Sequence, residues 1–217
     1  MKTDAQLKMD VTSELEWDPS IDVTNVGVAV KDGVVTLTGH LETFAEKFAI
    51  ERAVQRVEGV RAVAVELDVK LEPGHRRSDA EIAAAAESAL QWHALVPEER
   101  IRVMVEKGWV TLTGEVDWEF QRISAEKAVR PLTGVVGLSN GITLKAKTTP
   151  ANITTRIQDA LSRQAEREAR SVEVSVNGSI VTLTGKVHSW AERAAVQGAA
   201  WSAPGITQVI NRLSVEG

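Results

Sequence analysis

The sequence contains no cysteine, which excludes disulfide bonds and thiolate chemistry. No stretch approaches the roughly 18 apolar residues that a membrane-spanning helix needs, and residues 1–8 lack the apolar run of a signal peptide. Tyrosine is also absent, so the aromatic residues are six tryptophans and three phenylalanines. From the sequence as it stands we expect a cytoplasmic protein, and a periplasmic one if a leader has been removed.

The residues that usually build catalytic or metal sites do not form a recognisable pattern. The histidines have no metal-ligand spacing, and without cysteine a structural zinc site is not expected; the four are His40, His75, His93 and His188. Serines and carboxylates do not recur at equivalent positions as a nucleophile and its base would. We therefore predict that the protein is not an enzyme and has no catalytic residues, no cofactor and no metal.

A five-residue string, Val-Thr-Leu-Thr-Gly, occurs three times, at 35–39, 110–114 and 181–185. A second glycine follows each string after 20 residues, at Gly59, Gly134 and Gly205. Such periodic self-similarity indicates tandem copies of one structural unit. We divide the chain into module 1 (residues 1–70), module 2 (71–146) and module 3 (147–217).

Each module begins with an amphipathic helix and continues with a β-hairpin. A helix-capping residue, Thr3, Ser78 or Thr149, precedes apolar residues spaced by four, and in module 3 this predicts a helix over 149–165. Alternating β-branched residues then flank a glycine turn, at 32–33, 107–108 and 177–178. We expect the valines at the centre of the first strands to be buried, namely Val28, Val103 and Val174.

A second helix and a third strand complete each module. The second glycine lies just beyond the helix, where a left-handed residue ends it at low cost. A strand–helix–strand connection predicts that the third strand runs parallel to the second. The predicted fold class is α+β, with three tandem α-β-β-α-β units. Each unit has a small three-stranded mixed sheet with two helices on one face, and the strand order is not determined by the sequence.

This plan resembles the BON domain, the bacterial osmotic-stress and nodulation module. The resemblance rests on the hairpin ending in Val-Thr-Leu-Thr-Gly, the helix after it, and the dipeptides Gly59-Val60, Gly134-Val135 and Gly205-Ile206 that open the last strand. It implies non-enzymatic modules that bind phospholipid membranes in envelope or osmotic stress. The asparagine typical of the last strand is present as Asn140 and Asn211 but is replaced by Val65, which predicts a different local hydrogen bond in module 1.

Two tryptophans, Trp17 and Trp92, occupy the same position at the end of the first helix, where module 3 has Arg163. One interpretation is a satellite core contact or a domain interface. The other is insertion into a membrane, because tryptophan favours the headgroup region.

Charge is distributed unevenly along an acidic chain with a net charge of −5. Module 1 has 8 basic against 13 acidic residues, whereas module 3 has 8 against 6. The basic residues of module 3 cluster along and just beyond its first helix, at Arg156, Arg163, Arg167 and Arg170. They form either an ordinary solvated face or a contact for an anionic phospholipid surface. The overall acidity argues against a nucleic-acid partner.

The sequence therefore supports two functions. The first is a non-enzymatic protein that associates with phospholipid membranes in envelope or osmotic stress. The alternative is a soluble scaffold that binds protein partners or self-associates without binding lipid.

Overall fold

The computed structural model describes residues 2–145, 152–164 and 172–215. Module 1 comprises α1 (Asp4–Trp17), β1 (Val26–Lys31), β2 (Val34–Leu41), α2 (Phe44–Arg56) and β3 (Ala62–Val69). Module 2 comprises α3 (Asp79–Gln91), β4 (Ile101–Glu106), β5 (Trp109–Val116), α4 (Glu119–Val129) and β6 (Gly137–Leu144). Module 3 comprises α5 (Ile153–Gln164), β7 (Val172–Asn177), β8 (Ile180–Val187), α6 (Trp190–Trp201) and β9 (Gln208–Val215).

The chain forms two compact units. One contains residues 1–116 and 120–143, which are most of modules 1 and 2, and the other contains residues 117–119 and 144–217. In every module the hairpin's second strand lies in the middle of a three-stranded sheet. It pairs antiparallel with the first strand and parallel with the third in modules 1 and 3. The predicted α+β fold is therefore confirmed, and so is the parallel third strand in modules 1 and 3.

The core of each module lies between its two helices and one face of its sheet. The first helix contributes three buried residues at four-residue spacing in every module: Leu7, Val11, Leu15; Ile82, Ala86, Leu90; Ile153, Ile157, Leu161. The Val and Leu of the repeated string are fully buried in the central strand, while its threonines are not. Val174 is buried as predicted, but Val28 and Val103 are only half-buried. All three valines lie on edge strands with the same pairing to the central strand, and strand position does not explain the lower burial of Val28 and Val103.

The glycine that ends the repeated string is required by the backbone. Gly39, Gly114 and Gly185 have φ of 129°, 141° and 125°, a region that side chains rarely adopt. A Cβ on Gly39 would collide with the carbonyl oxygen of Asn25, and one on Gly114 with that of Arg100. The Val and Leu of the string therefore serve the core. Its glycine lets the central strand lie close to the start of the first strand.

The hairpin turns of modules 1 and 2 are tied to the first helix by a carboxylate. Asp32 and Lys107 have a positive φ of 51°, and a positive-φ glycine follows each one, as a tight two-residue hairpin requires. The backbone N–H groups of Asp32 and Gly33 donate to Asp4 at 2.8 and 3.1 Å. Asp79 accepts the equivalent pair in module 2, both at 2.8 Å.

The turn of module 3 differs by one residue from the prediction. Asn177 is the last residue of β7 and pairs with Ile180, so the turn is Gly178-Ser179 rather than Asn177-Gly178. The prediction places the glycine second in the turn, as in modules 1 and 2, but Gly178 occupies the first turn position, which Asp32 and Lys107 hold in the other modules. A single glycine satisfies the positive φ at that position as well.

The last strand is fastened to the second helix by a side chain that changes between modules. The Asn140 amide donates to the Arg122 carbonyl at 3.0 Å, and the Asn211 amide donates to the Gln197 side chain at 3.0 Å. In module 1, where Val65 replaces asparagine, the Lys47 ammonium of α2 donates to the Leu67 carbonyl of β3 at 2.8 Å. The different local bond predicted for module 1 is thus present.

Modules 1 and 2 contact each other through their second helices. The guanidinium carbon of Arg130, just beyond α4, lies 3.4 Å from the centre of the Phe48 ring on α2, a cation–π geometry. Burial raises the pKa of the nearby Glu51 carboxyl, and the charges of Lys47 and Arg130 partly oppose that shift.

Candidate functional site

Trp17 and Trp92 are both 85% exposed. This exposure contradicts the interpretation of these two residues as contacts in the core of their modules. The helical period explains it: each tryptophan follows the last buried leucine of its helix by two residues, about 200° around the axis. The same spacing separates Leu161 from Arg163, which is also exposed. All three modules therefore present a variable residue at the exposed end of the first helix.

The surroundings of Trp17 are mostly acidic. A shallow groove of about 580 Å³ beside it is lined by Lys2, Asp10, Ser13, Glu14, Val57 and Glu58. Lys2 forms an ion pair with Asp10 at 2.8 Å, and a hydrogen bond to that carboxylate is the main cause of its raised pKa. Glu14 is paired with Arg56, also at 2.8 Å. Any attraction of Trp17 to a membrane must therefore come from its apolar ring rather than from local positive charge.

Trp92 has a second apolar side chain close by in the sequence. Leu95, three residues further on, is 55% exposed. Trp92 is the residue directly after α3, and its backbone N–H donates to the Ser88 carbonyl at 3.0 Å. The last turn of the helix therefore fixes the backbone that carries the ring. The end of α3 therefore offers two large apolar groups on an ordered backbone.

A basic groove, which we call the linker groove, lies at the opposite end of α3. It has a volume of about 630 Å³, and four of its lining residues are basic: Lys70, Arg76, Arg77 and Lys107. Arg77 donates to the Gly74 carbonyl at 3.0 Å, which restrains its side chain. Asp79 also lines the groove, but its carboxylate accepts the two turn N–H groups. No sequence pattern reveals this group, because its basic residues are split between a strand end, the linker and a hairpin turn.

The structure places only part of the basic cluster predicted for module 3. Arg156 and Arg163 are exposed on α5, away from the buried stripe of Ile153, Ile157 and Leu161. Arg167 and Arg170 lie outside the described residues. The described half of the cluster is therefore accessible, as its helical spacing predicts.

One group of potential metal ligands is brought together by the fold. Glu42, Glu72 and His75 each place a ligand atom within 4.8 Å of the others. His75 is half-buried, as is His93, whereas His40 and His188 are exposed. Histidine spacing alone could not reveal this group, because Glu42 is far from the other two residues in the sequence.

The chain is similar to a curated stress-induced protein and, weakly, to two solved structures. The chain is 27% identical over 146 residues to osmotically-inducible protein Y of Escherichia coli strain K12, covering 65% of this chain and 73% of that protein. Structures of CdsD, a structural protein of the type III secretion system of Chlamydia trachomatis, align with TM-scores of 0.27 and 0.25. Their identities are 15% and 16%; the first alignment covers 100% of both chains, and the second 96% of this chain and 91% of that one. These scores carry no structural argument.

The BON domain family matches three segments, residues 3–70, 78–146 and 149–217, which together span nearly the whole sequence. Their order and spacing are those of the three structural modules. The chain therefore belongs to the BON domain family and carries the domain in three tandem copies.

Proposed function

We propose that this chain is a non-enzymatic protein of osmotic or envelope stress that associates with phospholipid membrane surfaces. The observation that carries the proposal is the near-complete exposure of Trp17 and Trp92 at equivalent positions. Its similarity to osmotically-inducible protein Y supports the stress context. None of the helices that the structure describes is long and apolar enough to cross a membrane, so the proposed contact is with the surface.

The exposed rings supply most of the expected binding free energy. Moving a large apolar side chain out of water contributes about 2–3 kcal/mol, and tryptophan is favoured in the headgroup region because its ring is apolar and its indole N–H is polar. One inserted tryptophan therefore raises partitioning by about 30- to 150-fold. A second adds a similar factor where both rings reach the bilayer together.

Positive charge contributes a smaller, salt-dependent part. Each basic residue near an anionic surface is worth about 1 kcal/mol, and the linker groove holds four such residues. The chain as a whole carries a net charge of −5, which opposes approach to the same surface. We therefore expect binding to weaken with salt but to persist at about 0.3 M NaCl, where charge interactions extend only about 5–6 Å.

Vesicle flotation tests the proposal directly. The full chain is mixed with vesicles of phosphatidylglycerol and phosphatidylethanolamine, and the floated fraction is measured for wild type, W17S, W92S and the double variant. Met9→Ser is the matched control, because Met9 is a 63% exposed apolar residue on α1 away from the helix end. We expect the double variant to lose at least about 30-fold in partitioning while Met9→Ser floats like wild type.

The arginines of module 3 form a separate arm of the same experiment. A variant with Glu at Arg156, Arg163, Arg167 and Arg170 should lose up to about three orders of magnitude in affinity if that helix is the contact. Its thermal stability should stay near that of wild type, because the two described arginines, Arg156 and Arg163, are exposed. Flotation that survives this variant but not the tryptophan variant assigns the contact to the tryptophans. The proposal fails if wild type does not float at low salt.

A protein-binding scaffold is the second candidate function. Phe120 and Ile123, three residues apart on α4, are 48% and 39% exposed and therefore share one helix face. An apolar helix face suits a protein partner or a second copy of the chain. Size-exclusion chromatography with light scattering, with and without F120S/I123S, tests this alternative. A stable oligomer that dissociates in the variant, together with no flotation of wild type, would favour the scaffold.

The compartment follows from neither fold nor family. The two candidates are the cytoplasm and the periplasm. Cell fractionation by osmotic shock distinguishes the two, because a periplasmic protein is released with the shock fluid.

A further inference from the structure

We propose that Glu42, Glu72 and His75 form a binding site for a divalent transition-metal ion, represented by Zn²⁺, which ties the linker between modules 1 and 2 to module 1. One ligand atom from each residue lies within 4.8 Å of the other two. The site shares no residue with the proposed membrane contact, and the argument for it does not rest on that function.

The sheet of module 1 places the two glutamates side by side. In the parallel pairing of β2 with β3, Leu41 lies opposite Val69, and the Lys70 N–H extends this pairing by donating to the Leu41 carbonyl at 2.7 Å. Glu42 follows Leu41 directly, and Glu72 follows two residues after Lys70. The ends of both strands are thus fixed by backbone hydrogen bonds just before each carboxylate.

A short turn then brings the imidazole to the same place. Pro73–His75 form a single 3₁₀ turn, closed by the His75 N–H donating to the Glu72 carbonyl at 2.9 Å. Residues three apart in such a turn lie on the same side. The sequence Glu72-Pro-Gly-His75 therefore presents a carboxylate and an imidazole together. Glu42 supplies the third ligand from the end of the neighbouring strand, β2.

Within the described part of the chain, this group lacks the partners that would otherwise explain it. Neither Glu42 nor Glu72 forms an ion pair with a lysine or arginine there. The Nδ1 atom of His75 is buried without a hydrogen-bond partner, and such an atom costs about 1–3 kcal/mol when nothing satisfies it. A cation between the carboxylates removes their mutual repulsion, and coordination through Nδ1 would also satisfy that nitrogen.

The donor set selects the class of ion. Two carboxylate oxygens and one imidazole nitrogen suit Zn²⁺ and its neighbours in the first transition row, whereas Ca²⁺ and Mg²⁺ prefer oxygen ligands alone. Ligand distances of about 2.0–2.2 Å place tetrahedral ligand atoms about 3.3 Å apart, so the three side chains need to close by at most about 1.5 Å. Three protein ligands leave one position for water.

Binding there would have a mechanical consequence for the linker. Glu72 and His75 precede Arg76 and Arg77, which line the linker groove. A metal ion would cross-link this part of the linker to the loop between β2 and α2. It would thereby restrict the path by which the chain leaves module 1.

Isothermal titration of the untagged, chelator-treated full chain with Zn²⁺ alone tests the site. We expect one ion per chain, with affinity lowered more than about tenfold in His75→Gln and in Glu72→Gln. Neither residue belongs to the buried core of module 1, so we expect the variants to keep the fold, and circular dichroism checks this. His188→Gln, which removes an exposed histidine of module 3, is the matched control and should bind like wild type.

Hydrogen exchange with and without Zn²⁺ tests the proposed link to the linker. Amides of residues 70–77 should exchange several-fold more slowly with the ion in wild type but not in His75→Gln. Absence of Zn²⁺ binding at 0.1 mM, or binding that His75→Gln leaves unchanged, would overturn the site. Zn²⁺ binding without slower exchange of the linker amides would show that the ion does not restrain the linker. Flotation repeated with a chelator is expected to be unchanged, which separates this proposal from membrane binding.

Discussion

Replacement of Gly114 by alanine is the sharpest test of why the repeated string ends in glycine. Gly114 has a φ of 141°, and its added Cβ would collide with the carbonyl oxygen of Arg100, immediately before β4. That oxygen belongs to backbone, so it cannot move aside as the tip of a flexible side chain would. The strand pair must therefore separate locally or the backbone of residue 114 must change its conformation.

The expected cost combines two terms. Holding alanine in a glycine-only backbone region costs on the order of 1–3 kcal/mol, and a steric clash in a packed region adds a further 1–3 kcal/mol. We expect Gly114→Ala to destabilise module 2 by about 4 kcal/mol, the middle of the summed range. Because each 1.4 kcal/mol changes an equilibrium tenfold, the open population of module 2 should rise at least about 100-fold.

Hydrogen exchange of the full chain measures this change module by module, whereas a single melting curve of three modules does not isolate one of them. Peptides covering β4 and β5 should exchange at least about 100-fold faster in Gly114→Ala. The control is Gly198→Ala in α6, where an added Cβ meets no atom within 4 Å. There the substitution should slow exchange by up to about fivefold, because alanine is favoured over glycine in a helix by up to about 1 kcal/mol.

Exchange of β4 and β5 within about threefold of wild type would refute the reasoning. It would mean that the start of β4 yields to the new Cβ at little cost. The same result would remove the structural explanation for the three occurrences of the string, and a functional reason for the glycine would then be needed.

The remaining predictions concern the first helix and the contact between modules. Asp79→Ala should destabilise module 2 by about 1–3 kcal/mol, because the hairpin turn loses two hydrogen bonds to a carboxylate; denaturant midpoints compared with those of Asp159→Ala check this. The hydrogen bonds from Ser78 lower the pKa of the Glu81 carboxyl, so its stabilising effect is present above about pH 4.3 and lost as pH falls through the lower folded value. Glu81→Gln should therefore be less stable than wild type at pH 7, the difference should shrink as pH falls below about 4.3, and a midpoint difference independent of pH contradicts this. Arg130→Ala should weaken the contact between modules 1 and 2 by about 1–2 kcal/mol, seen as faster exchange at the ends of α2 and α4.

The repeats made the fold readable from the sequence because three independent copies show which positions are constrained. Helix caps, the four-residue stripe and the alternation of the strands agree in each copy, so the element order followed directly. The strand order did not, since local patterns do not specify which strand is central. The burial of Val28 was also overestimated, because alternation shows which side of a strand faces the core but not how completely neighbouring side chains cover it.

The candidate site was less accessible to sequence reasoning. The helical spacing between Leu15 and Trp17 does indicate an exposed tryptophan, but a large apolar residue is more often packed, and only the structure decides between them. The group of Glu42, Glu72 and His75 depends on strand pairing across about 30 residues, which no local pattern contains. Long-range pairing is the step at which sequence patterns stop being informative.

Comparison of the modules separates residues that maintain the fold from residues available for function. Buried residues of the first helix and central strand are replaced only by other apolar residues, and the glycine with positive φ does not change. The side chain that joins the last strand to the second helix differs, being Lys47 in module 1 and an asparagine in the others. In each case it forms a hydrogen bond between the strand and the helix. At the exposed end of the first helix the residue is Trp17, Trp92 or Arg163, and no shared structural role explains the difference. Folding does not constrain this position, and its chemistry differs between the modules. Under the proposed membrane function, the modules would use it to bind different parts of one surface. For a membrane, those parts are the apolar boundary and the anionic headgroups.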